Sequence, residues 1–119
     1  MPAMDQSMQI PAEWLRKAGV QSFAPKASSF RCPEPHDLIA LAYIEPVIRT
    51  VPLDCNGFAH DRMIRILVGI RIGCAFPPIP IERIEHGAHL YRLRDGTHRF
   101  YASRTLGFSH VPAEICEVY

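Results

Sequence analysis

Apolar positions follow two different periods along this chain, and the points where the period changes mark its elements. Thr97 to Leu106 places Phe100, Ala102 and Leu106 at helical rather than alternating spacing and stops at Gly107, which predicts a helix. Leu90-Tyr-Arg-Leu-Arg alternates and predicts a strand just before it, and Val111 to Val118 predicts a closing strand. Ile79 to Glu85 also has strand character. Pro80 cannot donate to a ladder, so it puts that strand at a sheet edge, with a turn at His86-Gly87 leading on. His60 to Ile72 fits two patterns. Its polar positions His60, Asp61, Arg62, Arg65 and Gly69 share one helical face and Met63, Ile64, Leu67 and Ile70 another, while its Ile and Val content also suits a strand. The facial segregation favours a helix, stopped by Gly73 and kept from continuing by Pro77-Pro78.

The first half carries weaker signals. Pro11 to Gly19 predicts a short helix, with Pro in its first turn, Glu13 early, Arg16 and Lys17 late, and Trp14 anchoring it on the core. Residues 21 to 37 hold Pro25, Pro33 and Pro35 among Ser and Ala and read as a connector. Leu38 to Ile44 predicts another short helix, ended at Glu45 because the residue before Pro46 is pushed out of the helical region. Val47 to Leu53 predicts a strand running into a turn at Asp54-Cys55-Asn56-Gly57. Met1 to Ile10 shows no period and receives no role. From Val47 on, the order strand, helix, strand, strand, helix, strand describes an α+β fold, a small mixed sheet with helices on one face. The chain divides into an N-terminal helical extension and linker, 1–45, and a core domain, 46–119.

Composition narrows the possibilities only slightly. At 119 residues and 48% hydrophobic content, one core is the expectation. A net charge of +1 gives no bulk electrostatic reason for a nucleic-acid partner. The distribution says more: between His86 and His110 stand Arg92, Arg94, Arg99 and Arg104 against the single acid Asp95, and guanidinium suits phosphate or carboxylate. Cys32, Cys55, Cys74 and Cys116 include no Cys-x-x-Cys pair and read as buried or incidental thiols. His86 and His89 lack a Cys or acid to complete a ligand set, so no metal site is assigned. The apolar runs fall short of a membrane span, and a cytoplasmic protein without a membrane partner is expected.

Chemistry concentrates in Asp95-Gly96-Thr97-His98-Arg99. A strand that passes through Gly96 straight into a helix points unpaired N–H groups and the positive helix end at one place. Gly96 permits the sharp turn, Thr97 offers a capping hydroxyl, Arg99 supplies a forked donor, and His98 can donate to a phosphate or shuttle a proton. These parts together make a phosphate cradle. The competing reading is a plain hairpin, since Asp-Gly between alternating residues is also a strong turn signal. Gly107 at a helix-stop position and the helical spacing of Phe100, Ala102 and Leu106 count against it.

The span Phe76-Pro-Pro-Ile-Pro-Ile, the run Leu90 to Gly107 and the closing Val111-Pro-Ala-Glu-Ile resemble the core of the ParB-like nuclease/sulfiredoxin superfamily over Val47 to Tyr119. That resemblance implies a ParB/sulfiredoxin-like fold whose box loop and helix bind nucleotide phosphates through Gly96, Thr97, His98 and Arg99. Sulfiredoxin carries its reactive cysteine where this chain has Thr97, which argues against sulfinic-acid reduction. Chromosome-partition proteins match at Gly96, Arg99 and Ala102 but not at Thr97 or His98, and they read DNA with a helix-turn-helix for which no sequence remains after the closing strand. The Asp-Gly-His-His-Arg box of free serine kinases is nearer, and by that likeness Asp95 would help bind a metal or hydroxyl and His98 and Arg99 would hold phosphates; Asp95 and His98 are the candidate catalytic residues, and ATP, CTP or ADP with Mg²⁺ the candidate cofactors. Such kinases also need a second carboxylate, for which Asp54, Asp61, Glu82 and Glu85 are the candidates. The expectation is therefore a nucleotide-binding domain that transfers or hydrolyses a phosphoryl group. The alternative is a non-catalytic module associated with DNA or a protein partner. DNA cleavage rests on the family name alone, and a homodimer through the N-terminal segment stays open. Tyr91 and Phe100 are candidates to flank a base or to pack in the core, and Arg62 and Arg65 to grip a second anion or to form a solvated face.

Overall fold

The computed structural model describes residues 8–47 and 58–117. The strand expected at 47–53, Val47 apart, and the turn at 54–57 with its candidate Asp54 lie outside the described residues. The elements in chain order are α1 (Ala12–Lys17), β1 (Asp37–Ala40), a 3₁₀ turn (Leu41–Tyr43), β2 (Ile44–Glu45), α2 (His60–Arg71), β3 (Ile79–Arg83), β4 (Tyr91–Leu93), α3 (Thr97–Leu106) and β5 (His110–Ile115). The five strands form one mixed sheet in the order β1-β5-β3-β4-β2. β5 runs antiparallel to β1 and parallel to β3, β3 is antiparallel to β4, and β4 is parallel to β2.

The expected helix over Leu38 to Ile44 is instead two strands and a 3₁₀ turn, and the reason is tertiary. Strand β5 would otherwise expose a row of unpaired backbone groups, and Asp37 to Ala40 closes it in register with Ala113 to His110. Leu38-Ile-Ala-Leu-Ala-Tyr-Ile also has no polar face, so a helix there would gain nothing from amphipathic burial. These residues, assigned from sequence to the N-terminal extension, thus supply both edge strands of the sheet. β1 and β2 lie at opposite edges yet are joined by only three residues, which at a 3₁₀ rise of ~2 Å per residue span ~6 Å. The sheet must therefore curl until its two edges nearly meet.

Pro80 corrects a second expectation, because β3 is an interior strand. Its carbonyl accepts the Arg94 N–H at 2.9 Å, and Arg94 stands one residue beyond the end of β4. The missing Pro80 N–H therefore falls at the last rung, where the partner strand is already leaving the ladder.

The core gathers Trp14 from α1, Met63, Leu67 and Ile70 from α2, Ile79 and Ile81 from β3, and Val111 and Ala113 from β5. Helix α3 is buried on most sides, with Phe100, Tyr101, Ala102, Ser103 and Leu106 all enclosed. Each such large apolar side chain contributes roughly 1.5–3 kcal/mol on burial. Ile10, outside any expected element, is buried too, and the Tyr101 hydroxyl donates to the Val47 carbonyl at 2.7 Å. Gly69 belongs to this packing rather than to a polar face, since a Cβ there would stand 2.6 Å from the Phe76 ring. The thiols of Cys32 and Cys116 are half-buried and that of Cys74 is exposed. Among the described residues no helix is long and apolar enough to cross a membrane.

Candidate functional site

Helix α3 begins where the chain leaves the sheet. After β4 ends at Leu93, Gly96 adopts the left-handed conformation, φ 83° and ψ 26°, and the first helical residue is Thr97. The Phe100 N–H donates to the Gly96 carbonyl at 2.9 Å, closing the first turn. A Cβ at residue 96 would meet Ile79 Cγ2 at 2.9 Å, so both the dihedral and the space call for glycine. This is a strand-loop-helix junction, and the hairpin reading is excluded. Thr97 is buried, but no side chain caps the helix, which corrects the expected hydroxyl cap.

Arg99 is fixed in place. One terminal nitrogen donates to the carbonyls of Pro77 at 2.5 Å and Pro78 at 3.2 Å, which braces the guanidinium against the loop entering β3. Its other terminal nitrogen lies toward Gly96. Burial lowers its pKa from the ordinary arginine value, while Asp95 first, then Cys32 and Glu34, act in the opposite direction. An arginine keeps its charge through such a shift.

His98 is tied to the neighbouring helix. It is buried, and its Nε2 accepts the Ala59 N–H at 2.9 Å, so in this arrangement the ring proton sits on Nδ1. Ala59 is the N-cap residue of α2 and has no side-chain cap of its own. Its Nε2 ties the start of α3 to the start of α2, and the residue also lines the cleft at the box.

The box opens into a cleft of about 320 Å³ lined by Asp95 to Arg99 together with Arg62 and Ile66 of α2 and Phe76 and Pro77. Arg62, a candidate from sequence either to grip a second anion or to form a solvated face, lines the same cleft as Arg99. What places it at the box is the packing of α2 against α3, which no local pattern reveals. Asp95 is the one carboxylate among the lining residues. The other described candidates are engaged or elsewhere: Asp61 accepts from His60 Nδ1 at 2.8 Å, Glu82 pairs across the sheet with Arg92, and Glu85 is exposed beyond β3. Phe100 lies in the core, and Tyr91 is half-buried beneath the Arg83 guanidinium. Among the described residues no three His, Cys, Asp or Glu side chains gather as a metal would require. An uncapped helix start, a braced guanidinium and a second arginine facing one concavity form a surface suited to an anion.

A curled five-stranded mixed sheet whose β4-loop-α3 unit frames this cleft defines an α+β fold of the sulfiredoxin type. Among solved structures it is similar to sulfiredoxin from Arabidopsis thaliana, with a TM-score of 0.54 and 22% identity over 71% of this chain and 88% of that one. No protein-family model matches the chain, and no curated protein does either.

Proposed function

We propose that this cleft binds the phosphates of a nucleotide, ATP, CTP or ADP with Mg²⁺, and that the domain transfers or hydrolyses a phosphoryl group. The observation that carries this reading is the convergence of the α3 start at Gly96, Arg62 and the braced Arg99 on one concavity. In it, the amides of the first turn and both guanidiniums neutralise phosphate charge, which is most of what phosphoryl transfer asks of a protein. Asp95 at the same cleft is the residue that would hold Mg²⁺, an ion commonly bound by one or two carboxylates plus the phosphates themselves. His98 serves by fixing the junction of α2 and α3 and so the spacing between Arg62 and Arg99.

Titration calorimetry with each nucleotide plus Mg²⁺ tests the proposal. Wild-type protein should give binding heat, and Arg99→Ala should weaken it by at least ~10-fold, about the worth of one charged hydrogen bond. Equal heats from both proteins would end the proposal. Salt-sensitive DNA affinity with no nucleotide heat would replace it with a non-catalytic, DNA-associated module.

A further inference from the structure

A second cleft, of about 520 Å³, opens between the connector that follows α1 and the C-terminal end of α2, and it shares no lining residue with the Asp95 to Arg99 cleft. Its wall includes the half-buried ring of Phe23, which packs against Phe108, with Phe30 and Ile70 buried beneath. Three cations also line it, Lys26, Arg31 and Arg71, and none of its lining residues is an Asp or Glu. Arg71 is held by its Nε donating to the Ala18 carbonyl at 3.0 Å, and no ion pair within the described residues neutralises any of the three. In a chain whose net charge is only +1, this is a local excess of positive charge over an apolar floor.

The two features select one ligand chemistry. Aromatic walls favour an apolar body in proportion to the area covered, about 25 cal/mol per Å². Exposed cations alone give a free anion little, because solvent and salt screen them. A molecule that joins the two gains from both. We propose that this cleft binds a small amphipathic anion, an aromatic or aliphatic body bearing a carboxylate, at a site separate from the nucleotide cleft.

The exposed thiol of Cys74 lines the same cleft and serves as the reporter. The probe is 2-naphthoate, its neutral control 2-naphthalenemethanol, and the readout the rate of N-ethylmaleimide alkylation at Cys74 followed by peptide mass. Naphthoate should slow alkylation several-fold where the alcohol does not, and Lys26→Ala combined with Arg31→Ala should raise the naphthoate concentration needed by about tenfold. Equal protection by the alcohol, or no change in the double variant, would show an apolar patch without selection for charge and overturn the proposal. Absence of protection by naphthoate would overturn it too.

Discussion

The starts of α2 and α3 are joined by the hydrogen bond from the Ala59 N–H to His98 Nε2, and they solve the same problem in opposite ways. Every helix begins with backbone N–H groups that have no partner inside it. At the start of α2, Ala59 has the extended backbone of an N-cap, φ −83° and ψ 118°, but no side chain able to cap, and its N–H is taken by His98 Nε2 from the neighbouring helix. In a capping box a glutamate three residues on performs that service; here another helix performs it. At the start of α3 a left-handed glycine replaces the capping residue, no side chain caps the turn, and the cleft lies in front of it. His98 and Arg99 both line that cleft, and His98 in addition joins the two helix starts.

The largest effect should come from forcing a side chain into the open start. Gly96→Ala combines a left-handed backbone cost of ~1–2 kcal/mol with overpacking against Ile79, for a loss of about 2–4 kcal/mol in denaturant unfolding. A loss below ~0.5 kcal/mol would mean that the junction yields freely and that its geometry is not specified. Next comes the closed start. His98→Ala removes a buried ring and the acceptor of the Ala59 N–H, which should cost about 2–3 kcal/mol. His98→Gln, whose amide oxygen can reach as far as Nε2, should recover part of that loss; no recovery would show that the ring packs rather than caps.

What was legible in the sequence separates along the same line. Thr97 to Leu106 and its flanking strands were readable because turn chemistry, period and a glycine stop agree locally, and the same holds for α2. Leu38 to Ile44 was not, because whether an unpatterned apolar run coils or extends depends on the vacant edge of β5, which lies some seventy residues away in sequence. Pro80 misled for a related reason: the rule that keeps proline at edges concerns one missing rung, and only the observed register shows that this rung lies past the end of β4. Within the box, sequence named the residues but not their directions. Nothing local distinguishes a histidine whose Nε2 accepts from Ala59 from one turned to solvent, or brings Arg62 to the same cleft as Arg99.

Arg99 should separate stability from binding. Its hydrogen bonds to Pro77 and Pro78 are partly exposed, so Arg99→Ala should cost only ~1 kcal/mol, or about 4 °C in the thermal midpoint, while removing most of the anion affinity of the cleft. A variant destabilised as strongly as His98→Ala would place Arg99 with the structural residues and dissolve the contrast between the two.

The smallest effect is a gain, and it tests whether α2 lacks a cap of its own. Ala59 is exposed and already has the extended backbone that N-cap residues adopt, and its carbonyl already accepts the Met63 N–H at 2.9 Å. Ala59→Ser therefore adds a hydroxyl able to accept from the Asp61 or Arg62 N–H without new packing, worth about 0.5–1 kcal/mol. The hydroxyl serves donors different from the one His98 serves, so in the His98→Ala background the gain should be additive within ~0.5 kcal/mol. A much larger gain there would mean that loss of His98 lets the first turn of α2 fray. In that case the imidazole holds Arg62 at the cleft through the whole turn, beyond the single N–H it accepts.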